Sequence, residues 1–197
     1  MEGSRGLGDV YKRQVILGFI FTAILCAMTG ILVAYWDMAS VFVTLAMAGV
    51  IYGLGRTLFI QDERNYLPED AAWLEFLGRG QLFGVPMPII CFLILAIIMH
   101  LLLTKTTFGK FVYSIGDSGL AARTAGVPVR PILVMIFILA GTVAYFAGLL
   151  TAGAISSINT RMVAGSMIYD VLLVVVVGGI GLSGGKGGMH NVILGTL

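Results

Sequence analysis

The sequence predicts an all-α fold, a polytopic transmembrane helical bundle of about five spans and the start of a sixth. Two observations and one physical rule lead there. Of 197 residues, 58% are hydrophobic and only 11% charged, where a soluble domain carries about a quarter charged residues. The apolar residues gather in runs close to the ~20 needed to cross roughly 30 Å of hydrocarbon, and the charges collect between the runs. Backbone groups facing lipid must be paired within their own segment, so these runs are helices rather than open strands or loops.

In order, span one runs from Val15 to Tyr35, and a short break, Trp36 to Ala39, leads to span two, Val41 to Ile60. A polar loop, Gln61 to Gly80, precedes span three, Leu82 to Leu103. A second polar loop, Thr104 to Arg130, precedes span four, Pro131 to Leu150. Thr151 to Asp170 is mixed, Val171 to Leu182 is intensely apolar but short, and after a glycine-rich stretch a sixth apolar segment begins at Val192. The abundant glycine, 27 residues, suits helices that approach closely in lipid, where small residues are favoured at contacts.

Residues 1–14 read differently. Asp9 to Gln14 looks like a translated transposon end of the kind used to prepare sequencing libraries. Residues 1–14 are therefore expected to be a non-native leader and 15–197 a transmembrane domain truncated at both ends. The opening lacks the basic start, short apolar run and small-residue cleavage site of a signal peptide.

Charge bias orients the bundle, since cytoplasmic loops carry the excess of lysine and arginine. Lys105, Lys110, Arg123 and Arg130 outnumber Asp117 in loop 104–130, which should be cytoplasmic. Asp62, Glu63, Glu69, Asp70 and Glu75 outnumber Arg64 and Arg79 in loop 61–80, which should be periplasmic. The two loops are one span apart, so the assignments agree.

Several function classes find no support. No basic stripe interleaved with aromatics points to nucleic acid. Cys26 and Cys91 lie inside apolar runs and read as small hydrophobes. Leu182-Ser183-Gly184-Gly185 spells most of an ATPase signature loop, and Gly185-Lys186 echoes a phosphate loop. The latter needs a glycine five positions earlier and Ser or Thr after the lysine, where Ile180 and Gly187 stand. His190 and His100 lack the companions a metal requires. Asp170 suits a helix start, Arg56 can snorkel to an interface, and Tyr35, Trp36 and Trp73 fit interfacial belts. No catalytic residue, metal or bound cofactor is expected.

The most informative stretch is Ser114 to Val127. Asp117 or Ser118 can cap a helix start, Leu120 to Ala125 is a compact helical run, and Gly126 can adopt the left-handed conformation that ends a helix. Pro128 follows the stop. A short capped helix, with small alanines and one arginine exposed, would make a knob for a groove on another subunit. An ordinary surface helix joining two spans would have the same spacing.

This loop resembles the coupling segment of binding-protein-dependent permeases of the ribose, xylose and arabinose importer type. Thr107-Phe108-Gly109-Lys110, the Ala121-Ala122-Arg123 run and Gly126-Val127 have counterparts there. So do Asp170 with the run to Gly178-Gly179, and Gly184-Gly185-Lys186-Gly187 with Gly195; Gly53-Leu54-Gly55-Arg56 is a weaker match. Ser118 stands where that family usually has Asn, Met38 and Ala39 where a proline is common, Ile168 near an acidic position, and Asn191 near a glycine. The resemblance implies a bacterial inner-membrane permease subunit of an ATP-driven sugar importer. Its partners would be a separate ABC ATPase subunit that hydrolyses the ATP, a periplasmic sugar-binding protein and a second permease copy. The coupling loop would comprise Gly116, Asp117, Ser118, Leu120, Ala121, Ala122, Arg123 and Gly126. Gly178, Gly179, Ser183, Gly184 and Gly185 are candidates for a helix break along a substrate path, as broken helices can line such paths. Rivals are a permease for branched-chain amino acids or urea, an ion-coupled secondary transporter, and a plain membrane anchor. The secondary transporter would call for paired acids inside spans, which the sequence lacks.

Overall fold

The computed structural model describes residues 3–55, 57, 64–66, 72–82, 84–155, 157–159, 167–179 and 189–196. They form α1 (Gly3–Trp36), α2 (Ser40–Leu54), β1 (Arg64–Tyr66), α3 (Ala72–Arg79), β2 (Gln81–Leu82), β3 (Val85–Pro86) and α4 (Met87–Lys105). Then come α5 (Thr107–Asp117), α6 (Gly119–Thr124), α7 (Val129–Ile155), β4 (Ser157–Asn159), α8 (Met167–Val177) and α9 (Met189–Thr196). The expected helical, polytopic membrane architecture is what these elements make. Three helices are long and apolar enough to cross a membrane, in α1 (Arg13–Trp36), α4 (Met87–Lys105) and α7 (Val129–Ile155). The second and fifth expected spans fall on α2 and α8, described over 15 and 11 residues. Only 17%, 6% and 11% of the apolar windows of α1, α4 and α7 is buried within the chain, as befits helices whose outer surface is solvated by lipid.

Two compact units divide the chain. Met1–Cys91 with Leu133–Thr160 forms one, and Phe92–Ile132 with Arg161–Leu197 the other. In the first, α1 and α2 are joined by three residues, with Asp37 at φ 50, the one positive-φ non-glycine among the described residues. An aspartate tolerates that region better than most side chains. Leu25, Val43 and Met47 bury themselves between the two helices, flanked by Phe21, Leu32 and Val33.

Helix α1 also meets α7 on small residues. A Cβ on Gly30 would lie 2.9 Å from the Val134 Cα, and one on Gly141 would strike the Cys26 side chain. Cys26 thus behaves as the small hydrophobe its position suggests. The Tyr145 hydroxyl donates to the Val15 carbonyl at 2.6 Å, and its ring meets Phe19 edge-on at 5.7 Å. Thr22, Thr29, Thr142 and Thr151 each donate their hydroxyl to the carbonyl four residues back. That pairing lets a polar side chain sit in an apolar helix without an unsatisfied group.

The stretch expected as a plain loop, 61–80, carries structure. β1 pairs antiparallel with β4, Asn65 opposite Ile158. α3 crosses the end of α7 where both backbones are bare: a Cβ on Gly78 would collide with Gly153 and Ala154, and one on Gly153 with the Leu74 carbonyl. The Arg79 Nε donates to the Ala154 carbonyl at 2.7 Å, and its guanidinium lies 3.7 Å from Glu75. The spacing Leu74, Leu77, Gly78 puts the inward residues on one helical face; Leu74 is buried. Loop 61–80 and the segment after α7 therefore share one side of the bundle, as two intervening spans require.

Span three begins at Met87, later than the expected Leu82. Residues 81–86 form a tight hairpin, Gln81 opposite Pro86 and Leu82 opposite Val85, turning at Gly84 with φ +81. Pro88 then sits in the first turn of α4, where its missing N–H costs nothing.

In the second unit, α8 and α9 pack by a reciprocal crossing. A Cβ on Gly178 would meet the Asn191 carbonyl, and one on Gly195 the Val174 carbonyl. Residues 174 and 178 lie one turn apart on α8, as 191 and 195 do on α9, so two ridges meet with almost no side chain between them.

Candidate functional site

Loop 104–130 is two helices set end to end. Thr106 starts the first: its side chain accepts from the Gly109 N–H at 3.3 Å and donates to the Leu102 carbonyl at 2.5 Å. Gly109 is buried, and a Cβ there would strike the Leu103 backbone. That close approach is the physical reason for a glycine in Thr107-Phe108-Gly109-Lys110. Sequence reading singled out the motif but did not foresee an 11-residue helix, α5.

Ser118 alone joins α5 to α6. Its backbone is extended, φ −160 and ψ 106. It closes α5 by donating its N–H to the Ser114 carbonyl at 3.2 Å. It opens α6 by accepting the Ala121 N–H on its hydroxyl at 3.3 Å. Of the two capping candidates, Ser118 takes the role, while Asp117 ends α5. Such a cap is worth about 1 kcal/mol.

The end of α6 is closed as firmly. Gly126 has φ +80. The Gly126 N–H donates to Arg123 at 3.1 Å and the Val127 N–H to Ala122 at 3.0 Å. These paired bonds form a Schellman motif, which spends the carbonyls a helix end otherwise leaves bare. Val129, the first residue of α7, is buried, as is Ile132.

One expectation needs correcting. Both alanines of Ala121-Ala122 were expected on the contact face, but Ala122 is buried, because the segment leaving α6 folds back over it through the Val127 bond. The open face consists of Gly116, Asp117, Ser118, Leu120, Ala121 and Arg123. Leu120 is 77% exposed. An apolar side chain so exposed on a helix this tightly closed was invisible in the spacing.

The second candidate group is split. Gly178 and Gly179 end α8: the Gly178 N–H donates to Val174 at 2.9 Å, the Gly179 N–H to Val176 at 3.0 Å, and Gly179 has φ +72. The Asn191 amide donates to the Gly178 carbonyl at 2.7 Å, a contact sequence reading missed. Ser183, Gly184 and Gly185 lie outside the described residues. Among the described residues no group of three or more His, Cys, Asp or Glu could hold a metal.

Comparison with known proteins places this arrangement. A family model described as branched-chain amino acid transport system, permease component, matches residues 13–197. The chain belongs to that family. This permease is 34% identical over 174 residues to an L-arabinose ABC transporter permease of Azospirillum brasilense, covering 85% of the chain and 48% of the relative. It is 35% identical over 185 residues to a ribose import permease of Bacillus subtilis, covering 93% and 56%. A fructose import permease of Rhizobium meliloti is 30% identical over 194 residues, covering 93% and 52%. The chain thus spans about half the length of the curated relatives it matches. No solved structure matches the permease. Family membership and membrane-length apolar helices together make it a multi-pass inner-membrane protein.

Proposed function

We propose that the permease forms the translocation path of a binding-protein-dependent importer for a small sugar and draws on ATP through α6. The observation that carries this reading is Leu120, 77% exposed, on a six-residue helix closed at both ends. An apolar side chain on a polar loop, held rigidly outward, is suited to a groove on another protein. The partner is an ABC ATPase subunit, which alone hydrolyses ATP; this chain binds no cofactor of its own. Loop 104–130 is then cytoplasmic and loop 61–80 periplasmic, where a sugar-binding protein delivers substrate to a pair of permease copies. Closing of the ATPase pair would push on α6 and switch the bundle between two packings. The glycine pair ending α8 is a helix break available to line the path.

The sugar class is taken from the arabinose, ribose and fructose relatives. A branched-chain amino acid permease is the second reading, favoured by the family's description. The test is ATP-driven uptake of labelled monosaccharide by the full-length permease, reconstituted with its ATPase and binding protein. Competition by L-arabinose, ribose or fructose and not by leucine is expected. Uptake without ATP, or competition by leucine alone, would overturn the reading.

A further inference from the structure

Between α6 and the first turn of α7 lies a cavity of 360 Å³ lined by Arg123, Pro128, Val129, Arg130 and Pro131. One arginine at the start of a span is an ordinary interfacial anchor. That account does not cover a second guanidinium reaching the same cavity from the other side of the Gly126 turn. Both arginines are exposed, and the walls between them are two prolines and a valine. α7 has no acid in its first turn, so its N-terminal N–H groups add to the positive potential there. Within loop 104–130, Asp117 is the sole acid against Lys105, Lys110, Arg123 and Arg130.

We propose that this cavity receives an acidic side chain of the ATP-hydrolysing subunit, a carboxylate held between Arg123 and Arg130 that fixes the register in which Leu120 docks. The inference rests on the coupling role given to α6 above. A guanidinium offers a planar fork that matches a carboxylate with two parallel bonds. Pro128, Val129 and Pro131 would cover the methylene stem and exclude water, which strengthens the charged bonds. An anionic lipid headgroup would also answer the charge. The protein partner is favoured because Arg123 shares a six-residue helix with Leu120. One rigid turn presents knob and cavity together, and a lipid would account for the cavity but not the knob.

The test uses the full-length permease in nanodiscs of neutral phosphatidylcholine, titrated with its purified ATPase subunit at low and high salt. Arg123→Gln and Arg130→Gln should each weaken binding about tenfold at low salt, the worth of a charge-assisted hydrogen bond, and both should flatten the salt dependence. Arg130→Lys, which keeps the charge, should retain more affinity than Arg130→Gln, whereas a general loss of folding would treat the two alike. Leu120→Asp should abolish binding at either salt. If the glutamine variants match the parent in affinity and salt dependence while Leu120→Asp still abolishes binding, the docking role stands and the cavity proposal falls. If Leu120→Asp changes nothing, the docking role itself fails, and the proposal with it. Should the glutamine variants bind the ATPase normally but lose retention of phosphatidylglycerol, the occupant is a lipid and the proposal is overturned.

Discussion

Replacing Leu120 with alanine isolates the contact from the helix that carries it. Leucine and alanine are both strong helix formers, and neither the Ser118 cap nor the Gly126 closure involves the Leu120 side chain, so α6 persists. The truncation removes three carbon groups, worth about 2.4 kcal/mol if wholly buried at ~0.8 kcal/mol each. Since 77% of Leu120 is open, about 1.8 kcal/mol of that is available to a partner. At 1.4 kcal/mol per tenfold, the ATPase should bind roughly 20-fold more weakly. The assay is titration of the nanodisc-embedded, full-length permease with the ATPase subunit, with ATP-driven uptake measured in parallel. A change below about threefold in affinity, with uptake intact, would refute the reasoning, because a groove that holds α6 cannot ignore its most exposed apolar group.

Other outcomes follow from the same contacts. Gly126→Ala should destabilise the α6 closure by about 1–2 kcal/mol, the cost of a Cβ at positive φ, with Gly126→Asn milder; hydrogen exchange at Gly126 and Val127 reports it. Gly153→Val forces a branched side chain into the α3 crossing and should cost about 1–3 kcal/mol, read as faster trypsin cleavage after Arg79. Arg79→Gln should have a smaller effect in that assay, because its ion pair with Glu75 is exposed and worth at most about 1 kcal/mol, leaving the Ala154 bond as the main loss. Asn191→Leu removes the amide that caps α8 and should cost about 1 kcal/mol, seen as a lower unfolding temperature of the purified permease.

The sequence made the long helices legible because their apolar runs match the thickness of a bilayer, and it made α6 legible because Ser118, Gly126 and Pro128 are strong local punctuation. α3 escaped notice. Its Leu74, Leu77 and Gly78 face is only two turns long and is diluted by the acids around it, and it is ordered by contact with Gly153, 75 residues away. α5 was hidden likewise, since Gly109 weakens a helix unless a neighbour such as Leu103 demands the space. The register of α6 could not be read either. Ala121 and Ala122 are chemically identical, and only the return of the chain at Val127 decides which of them is covered. The short break after α1 was legible as a break, but the positive φ fell on Asp37 rather than on a glycine, which no spacing rule would select.

The backbone closure of α6 bears on the energetics of assembly. Every bond that ends the helix comes from the chain itself, so the loop already has its final shape before any partner arrives. Association then forfeits little conformational freedom on this side. A loop of the same composition that folded only on contact would spend part of its binding energy on ordering itself. Here that energy remains available for transmitting force, and tightening or loosening the turn at Gly126 would tune how much of each ATPase stroke reaches the membrane.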